Sequence, residues 1–194
     1  MKLKFIYLFL FSLACISCQN DNKQYVVEQQ KEAKKKEVIF DNINRGWVFD
    51  ISPIEPATQA IVNNWLEWRA FLTEINQKPK STIGAFQKKA SALSKKVTDL
   101  NVNIPGEFNK PQIKARIAVI TTKIKSMDLF IHLNQIPDAK VVKLIGEINT
   151  EIDFLQLQME EIVKRKQIPM EDGESDLMKM KDTARAIPNA PIQK

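Results

Sequence analysis

Histidine, cysteine and glycine are scarce in this chain, and each scarcity argues against a class of site. The one histidine, His132, directly follows an apolar position and is expected at the rim of the fold, so we expect neither a Ser-His-Asp triad nor a Cys-His pair. Both cysteines lie within the first 18 residues, which leaves no thiol for a metal site farther along. The five glycines form no Gly-rich phosphate loop, and so few of them favour long helices over a turn-rich β-fold.

The rest of the composition is typical of one folded domain with tails. Of the 194 residues, 44% are apolar and 27% are charged, which is enough apolar material to fill a core. The formal net charge is +6, and two of these charges, Lys2 and Lys4, stand at the extreme N-terminus. The remaining excess is spread over many segments, so it does not indicate nucleic-acid binding.

The first residues, "MKLKFIYLFLFSLACISC", predict a signal peptide over residues 1–17. Lys2 and Lys4 form a short positive region, and a mostly apolar run of twelve follows from Phe5 to Ile16. Twelve helical residues cover about 18 Å, which is too short for a hydrocarbon core of about 30 Å. The pattern therefore favours a cleaved secretory leader, with an uncleaved apolar anchor as the alternative.

A leader that ends in small residues before cysteine resembles the lipobox of bacterial lipoproteins, in the looser form found in flavobacteria and their relatives. The resemblance covers only the first twenty-odd residues. It implies that a dedicated signal peptidase cuts before a cysteine carrying diacylglycerol, and that the new N-terminus receives an acyl chain such as palmitate. We predict Cys18, which has Ser17 before it and Cys15 three positions back; Cys15 itself, with Ser12 where the family prefers an aliphatic residue, is the alternative.

Residues 18–41 are predicted to form a polar, basic tether that is partly helical. Its basic cluster consists of Lys31, Lys34, Lys35 and Lys36. Contact with anionic lipid headgroups is the alternative, since the cluster follows the predicted anchor closely, although Glu32 and Glu37 interrupt it.

Residues 42–56 are predicted to form an extended strap along the domain. Gly46, Pro53 and Pro56 interrupt helix, whereas Trp47 and Phe49 are too apolar for a free linker. A lid over a ligand is the alternative function of this segment.

Apolar residues recur at alternating steps of three and four in the four segments 56–77, 81–102, 111–134 and 137–166. The third segment shows the pattern in Ile113, Ile117, Ile120, Ile124, Met127 and Ile131. Short proline-containing breaks separate the segments, which favours antiparallel neighbours. We therefore predict an all-α fold over residues 57–167, an antiparallel up-down-up-down four-helix bundle.

Further apolar residues beside these stripes are predicted to widen the buried faces, namely Leu66, Phe71, Val119, Phe130, Val142, Phe154 and Leu157. The acidic residues of the last segment fall off its stripe, so we expect no buried metal centre and no cofactor. Residues 168–194 are predicted to form a C-terminal tail with a short helix near 175–186.

The stretch "WLEWRAF" is the best candidate for a ligand site. Trp65 and Trp68 lie on the apolar stripe with Arg69 beside them, and the Trp47 strap could complete an aromatic pocket. Core packing is the other interpretation, because both tryptophans obey the heptad. We expect no catalytic residues.

The sequence thus predicts a lipid-anchored protein of the cell envelope, with the outer membrane, at its periplasmic or surface face, as its expected location. Its expected role is non-catalytic: a protein-binding, scaffolding or accessory subunit whose partners are the membrane, through the N-terminal lipid, and other envelope proteins. A small-ligand or substrate-binding lipoprotein with a pocket near Trp47, Trp65 and Trp68 is the alternative.

Overall fold

The structure is a computed structural model that describes the backbone of residues 19 to 168 and the side chains from residue 24 onward. Cys15, Cys18 and the tail from residue 169 lie outside the described residues. Within the described range the fold is all-α, with no strand, which confirms the predicted class. The six helices of that range are α1 (Gln19–Gly46), α2 (Pro56–Val62), α3 (Leu66–Ile75), α4 (Ile83–Asp99), α5 (Pro111–Ile131) and α6 (Asp138–Gln167).

Helix α1 continues farther than the sequence suggested. The predicted extended strap is wrong for residues 42–46, which form the last turn of α1; residues 47–55 are non-helical. Packing explains the extension, because Ile43 is buried and Ile39 and Phe40 pack against the same core. Because Gly46 has no Cβ, the backbone of this turn can lie directly against Val142 of α6.

The first apolar segment forms two helices and not one. Asn63 still bonds back to Gln59, but Asn64 and Trp65 donate to carbonyls only three residues earlier, at 3.1 and 2.9 Å. Two successive asparagines are poor helix formers, and Trp65 adopts an extended backbone that starts α3. The turn lets α2 pack against α6 while α3 packs against α4.

Local chemistry accounts for several helix starts. The Thr82 hydroxyl accepts a hydrogen bond from the backbone N–H of Ala85 at 3.1 Å and caps α4. Pro56 and Pro111 occupy the first turn of α2 and α5, where a missing N–H costs nothing.

The predicted stripes form the core. All six stripe residues of α5 are fully buried, from Ile113 to Ile131, and so are Ile148 and Ile152 of α6. Phe108, in the loop before α5, is also fully buried, which the periodicity did not indicate. Helix α6 packs against α5, α1 and α2, while α4 lies between α3 and α5.

The prediction of widened faces was only partly right. Phe71 is buried and Phe130 packs against the core, but Leu66, Val119, Phe154 and Leu157 are exposed. No other part of the described chain covers these four side chains.

Candidate functional site

The structure brings two of the predicted ligand residues together. The rings of Trp65 and Trp68 stack with centroids 5.8 Å apart at 22°, and Trp68 also meets Phe71 at 5.9 Å. Both indoles are at most 1% exposed. Trp65 starts α3 and Trp68 follows one turn later, so helix geometry places both rings on the inner side of α3.

Trp47 belongs to a different aromatic cluster. Its ring meets Phe86 of α4 at 5.0 Å and Phe49 at 5.7 Å, both edge-on, and Phe40 of α1 meets Phe86 at 6.0 Å. In the described residues no aromatic contact joins Trp47 to Trp65 or Trp68. This cluster fastens the end of α1 to α4.

Arg69, the cation of the predicted site, is exposed and does not lie over a tryptophan ring. One of its guanidinium nitrogens donates weakly, at 3.4 Å, to the backbone carbonyl of Asn63. Cation–π contacts occur elsewhere, with Arg116 5.0 Å from the ring centre of Phe154 and Lys140 5.6 Å from that of Phe130. The four predicted residues thus do not surround one space.

A partly exposed surface carries both ion pairs and apolar side chains. We call it the α5–α6 face, and it consists of Arg116, Val119 and Lys123 of α5 with Glu147, Glu151, Phe154 and Leu157 of α6. Lys123 of α5 bonds to Glu147 of α6 at 2.7 Å, and Arg116 reaches Glu151 at 3.4 Å. The hydrogen bond from Lys123, with attraction to Lys123 and Lys143, lowers the pKa of the Glu147 carboxyl.

Exposed apolar residues stand beside those ion pairs. Phe154 lies against Arg116, Leu157 follows one turn later, and Val119 follows Arg116 by one turn on α5. Their side chains are 43, 59 and 39% exposed, respectively. Sequence reasoning placed all three in the core, so it missed this surface. Periodicity shows which side of a helix is apolar, but not whether another helix covers the edge of that side.

Helix α1 is the second exposed feature. From residue 24 to residue 38 every side chain is exposed, although the helix then enters the core. We call the remaining helices, α2 to α6, the body. Where α1 meets the body, a groove of about 900 Å³ lies between α1 and the turn that joins α5 to α6. Lys34, Lys35 and Lys36 line its α1 side, with Ile136 opposite.

At the end of the non-helical segment 47–55, Glu55 contacts α6. Its backbone N–H donates to Glu160 at 2.9 Å, and its carboxylate pairs with Lys164 at 2.9 Å. The hydrogen bond from the ammonium group to Glu55, with their mutual attraction, raises the pKa of Lys164. These contacts hold the non-helical residues along α6.

His132 ends α5, with its Nδ1 2.7 Å from the carbonyl oxygen of Asp128 and the ring partly exposed. In the part of the chain that the structure describes, no three His, Cys, Asp or Glu side chains are grouped as a metal site requires. Among the helices of that same part, none combines the length and apolar character needed to cross a membrane.

Comparison with known proteins gives no relative: no protein-family model, no curated protein and no solved structure matches this chain.

Proposed function

We propose that the protein is a membrane-anchored envelope lipoprotein that acts as a non-catalytic scaffolding or accessory subunit of an envelope complex. Its anchor is the diacylglycerol and acyl lipid on Cys18, in the outer membrane at the periplasmic or surface face. The observation that supports the proposal is α1, which is helical from Gln19, the first described residue, and whose last turns pack in the core. Such a helix would link a lipid on Cys18 to the folded domain through a rigid element from Gln19 onward.

The body is proposed to be an antiparallel up-down-up-down bundle whose first helix is the broken pair α2 and α3. The order of the contacts supports this arrangement. Between α5 and α6, Arg116 meets Glu151 whereas the later Lys123 meets the earlier Glu147.

The same reversal occurs between α4 and α5. Gln87 donates to the carbonyl of Ile131 at 2.9 Å, and the later Ser91 donates to the earlier Asp128 at 2.9 Å. Because α2 packs on α6 while α3 packs on α4, the broken pair bridges the two ends of this series.

The α5–α6 face is the proposed surface for a protein partner. It combines exposed Phe154 and Leu157 with the ion pairs of Arg116 and Lys123, and interfaces favour aromatic and arginine side chains of this kind. By contrast, the small-ligand hypothesis has no comparable support, since the predicted tryptophans are packed among the protein's own side chains.

The test is photo-crosslinking in intact cells. A photoreactive phenylalanine analogue at Leu157 is expected to give one or a few discrete adducts with envelope proteins, whereas the same analogue at Lys88, an exposed position on α4, gives none. Phe154→Asp in the Leu157-labelled protein should remove the adducts without changing the melting temperature. Equal adducts from both positions, or none from either, would count against a scaffold acting through this face.

A further inference from the structure

We propose that α1 lies along the surface of an anionic membrane, held there by a basic face that binds lipid headgroups. The basic face consists of Val27, Lys31, Lys34, Lys35 and Val38. The proposal deepens the proposed function, because it rests on an anchor at Cys18 and states what the helix after the anchor contacts.

Helix geometry separates charges that are mixed in the sequence. At 3.6 residues per turn, the five residues of the basic face fall within an arc of about 100°. Glu28, Glu32 and Glu37 fall outside that arc. On a helix the glutamates therefore stand beside the basic face and not between its lysines, with Glu28 only about 20° from its edge.

The lysines of the basic face are open to a ligand. All five residues of the face are exposed, and Val27 and Val38 are about half exposed. Within residues 24 to 168, no ion pair involves Lys31, Lys34 or Lys35. By comparison, Lys89 and Lys123 in the body each hold a carboxylate at hydrogen-bond distance.

Apolar side chains accompany the cations, as a contact with lipid requires. The groove at the end of the face places Lys34 and Lys35 beside Val38, Ile39 and Ile136. Glu32 and Asp138 also line it, so its three lysines leave a net positive charge of one. A headgroup phosphate can meet the ammonium groups while glycerol or acyl carbon meets the apolar side chains. A soluble anion would contact only the ammonium groups and would leave the apolar side chains uncovered.

The acidic stretch 171–176 of the chain's own tail is too close in sequence to the end of α6 to reach the face. Asn42 of α1 bonds to Asp138 at 2.6 Å, so the basic face lies beyond the first residue of α6. The acidic stretch 171–176 follows Gln167 at the opposite end of that helix, about 44 Å away along its axis. Nine extended residues reach only about 32 Å.

The membrane is the source of negative charge that the position of the face favours. Helix α1 begins next to the predicted anchor, and its basic face ends about 28 Å along the helix. The lipid chain keeps the helix at the surface, where each lysine close to anionic lipid adds attraction. With the helix flat, the orientation of the body on the membrane becomes fixed.

Vesicle flotation tests the face without the lipid anchor. We would use residues 18–194 with Cys18→Ser, which keeps every residue of the described core, and vesicles of phosphatidylcholine with or without phosphatidylglycerol. We expect binding only to the vesicles that contain phosphatidylglycerol. The triple variant Lys31→Gln, Lys34→Gln, Lys35→Gln should weaken it by about tenfold to 100-fold. A control with the same charge change, at the exposed Lys88, Lys95 and Lys125, should bind like the parent.

Equal loss in both triple variants, equal binding to phosphatidylcholine alone, or equal binding to RNA in the same buffer would overturn the proposal. High salt should abolish the binding of the parent, since exposed charges are screened. Failure of the anchor itself is distinguishable, because the mass of the N-terminal peptide from cells reports lipid on Cys18 whatever the vesicles show.

Discussion

Gly46, in the last turn of α1, lies so close to Val142 of α6 that a Cβ on Gly46 would meet its Cγ2 at 2.5 Å and its Cγ1 at 2.6 Å. The same Cβ would lie 3.1 Å from the Cβ of Val142, which cannot move without its helix. This approach joins the helix next to the predicted anchor to the longest helix of the body.

Gly46→Ala should therefore lower the free energy of unfolding by about 1–3 kcal/mol, since the added methyl overpacks the contact. Two other glycines provide controls, because a Cβ on Gly106 or Gly146 meets nothing within 4 Å. Gly146→Ala, inside α6, should stabilise by up to about 1 kcal/mol. Urea denaturation of Gly46→Ala and Gly146→Ala checks this, and equal stability of Gly46→Ala and wild type would contradict the close contact.

The second prediction compares neighbours on α5. Ile120 is fully buried and Val119 is 39% exposed. Ile120→Asp should unfold the domain or cost more than about 4 kcal/mol, because it buries an unpaired charge. Val119→Asp, with the same new charge one residue earlier, should change stability by less than about 0.5 kcal/mol. Similar melting curves for both variants would rule out the assigned inner and outer sides of α5.

Periodicity predicted most of the helical core because burial on one side of a helix repeats with the helix itself. The stripe of α5 could be read from Ile113 to Ile131 without error. Asn63 and Asn64 show the limit of the method. The apolar spacing runs across them unbroken, so only their low helix propensity hints at the turn.

Contacts between distant segments were beyond sequence reasoning. Gly46 suggested a helix end from its type, yet its role depends on Val142, nearly a hundred positions later. Of the candidate site, the spacing of Trp65 and Trp68 predicted their shared side of the helix. That Trp47 packs on Phe86 instead of on those two could not be predicted, because it requires knowing which helix meets the end of α1.

The third prediction concerns Glu147. Its pKa is lowered chiefly by the hydrogen bond from Lys123, so Lys123→Met should raise it toward the ordinary carboxyl value. A carboxyl whose pKa is lower in the folded state stabilises the fold above its unfolded pKa and loses that contribution as the pH falls through the folded pKa. Wild type should therefore lose more stability on acidification than Lys123→Met.

An NMR titration of the Glu147 carboxyl is the direct measurement, with thermal melts across the acidic range beside it. Lys125→Met is the matched control, since Lys125 is exposed and takes part in no ion pair of the described residues. An unchanged Glu147 titration in Lys123→Met would show that the pair does not form in solution.

The last prediction decides between the two cysteines. If the lipid is on Cys18, Cys18→Ser should abolish labelling by a clickable palmitate analogue and release the protein from membranes, whereas Cys15→Ser should leave both unchanged. The physical reason is the loss of the sulfur that carries diacylglycerol, without which one basic face gives only reversible, salt-sensitive attachment. Membrane fractions washed at high and low salt therefore separate the two forms of attachment. Labelling lost in Cys15→Ser and kept in Cys18→Ser would move the anchor to Cys15, three positions earlier in the chain.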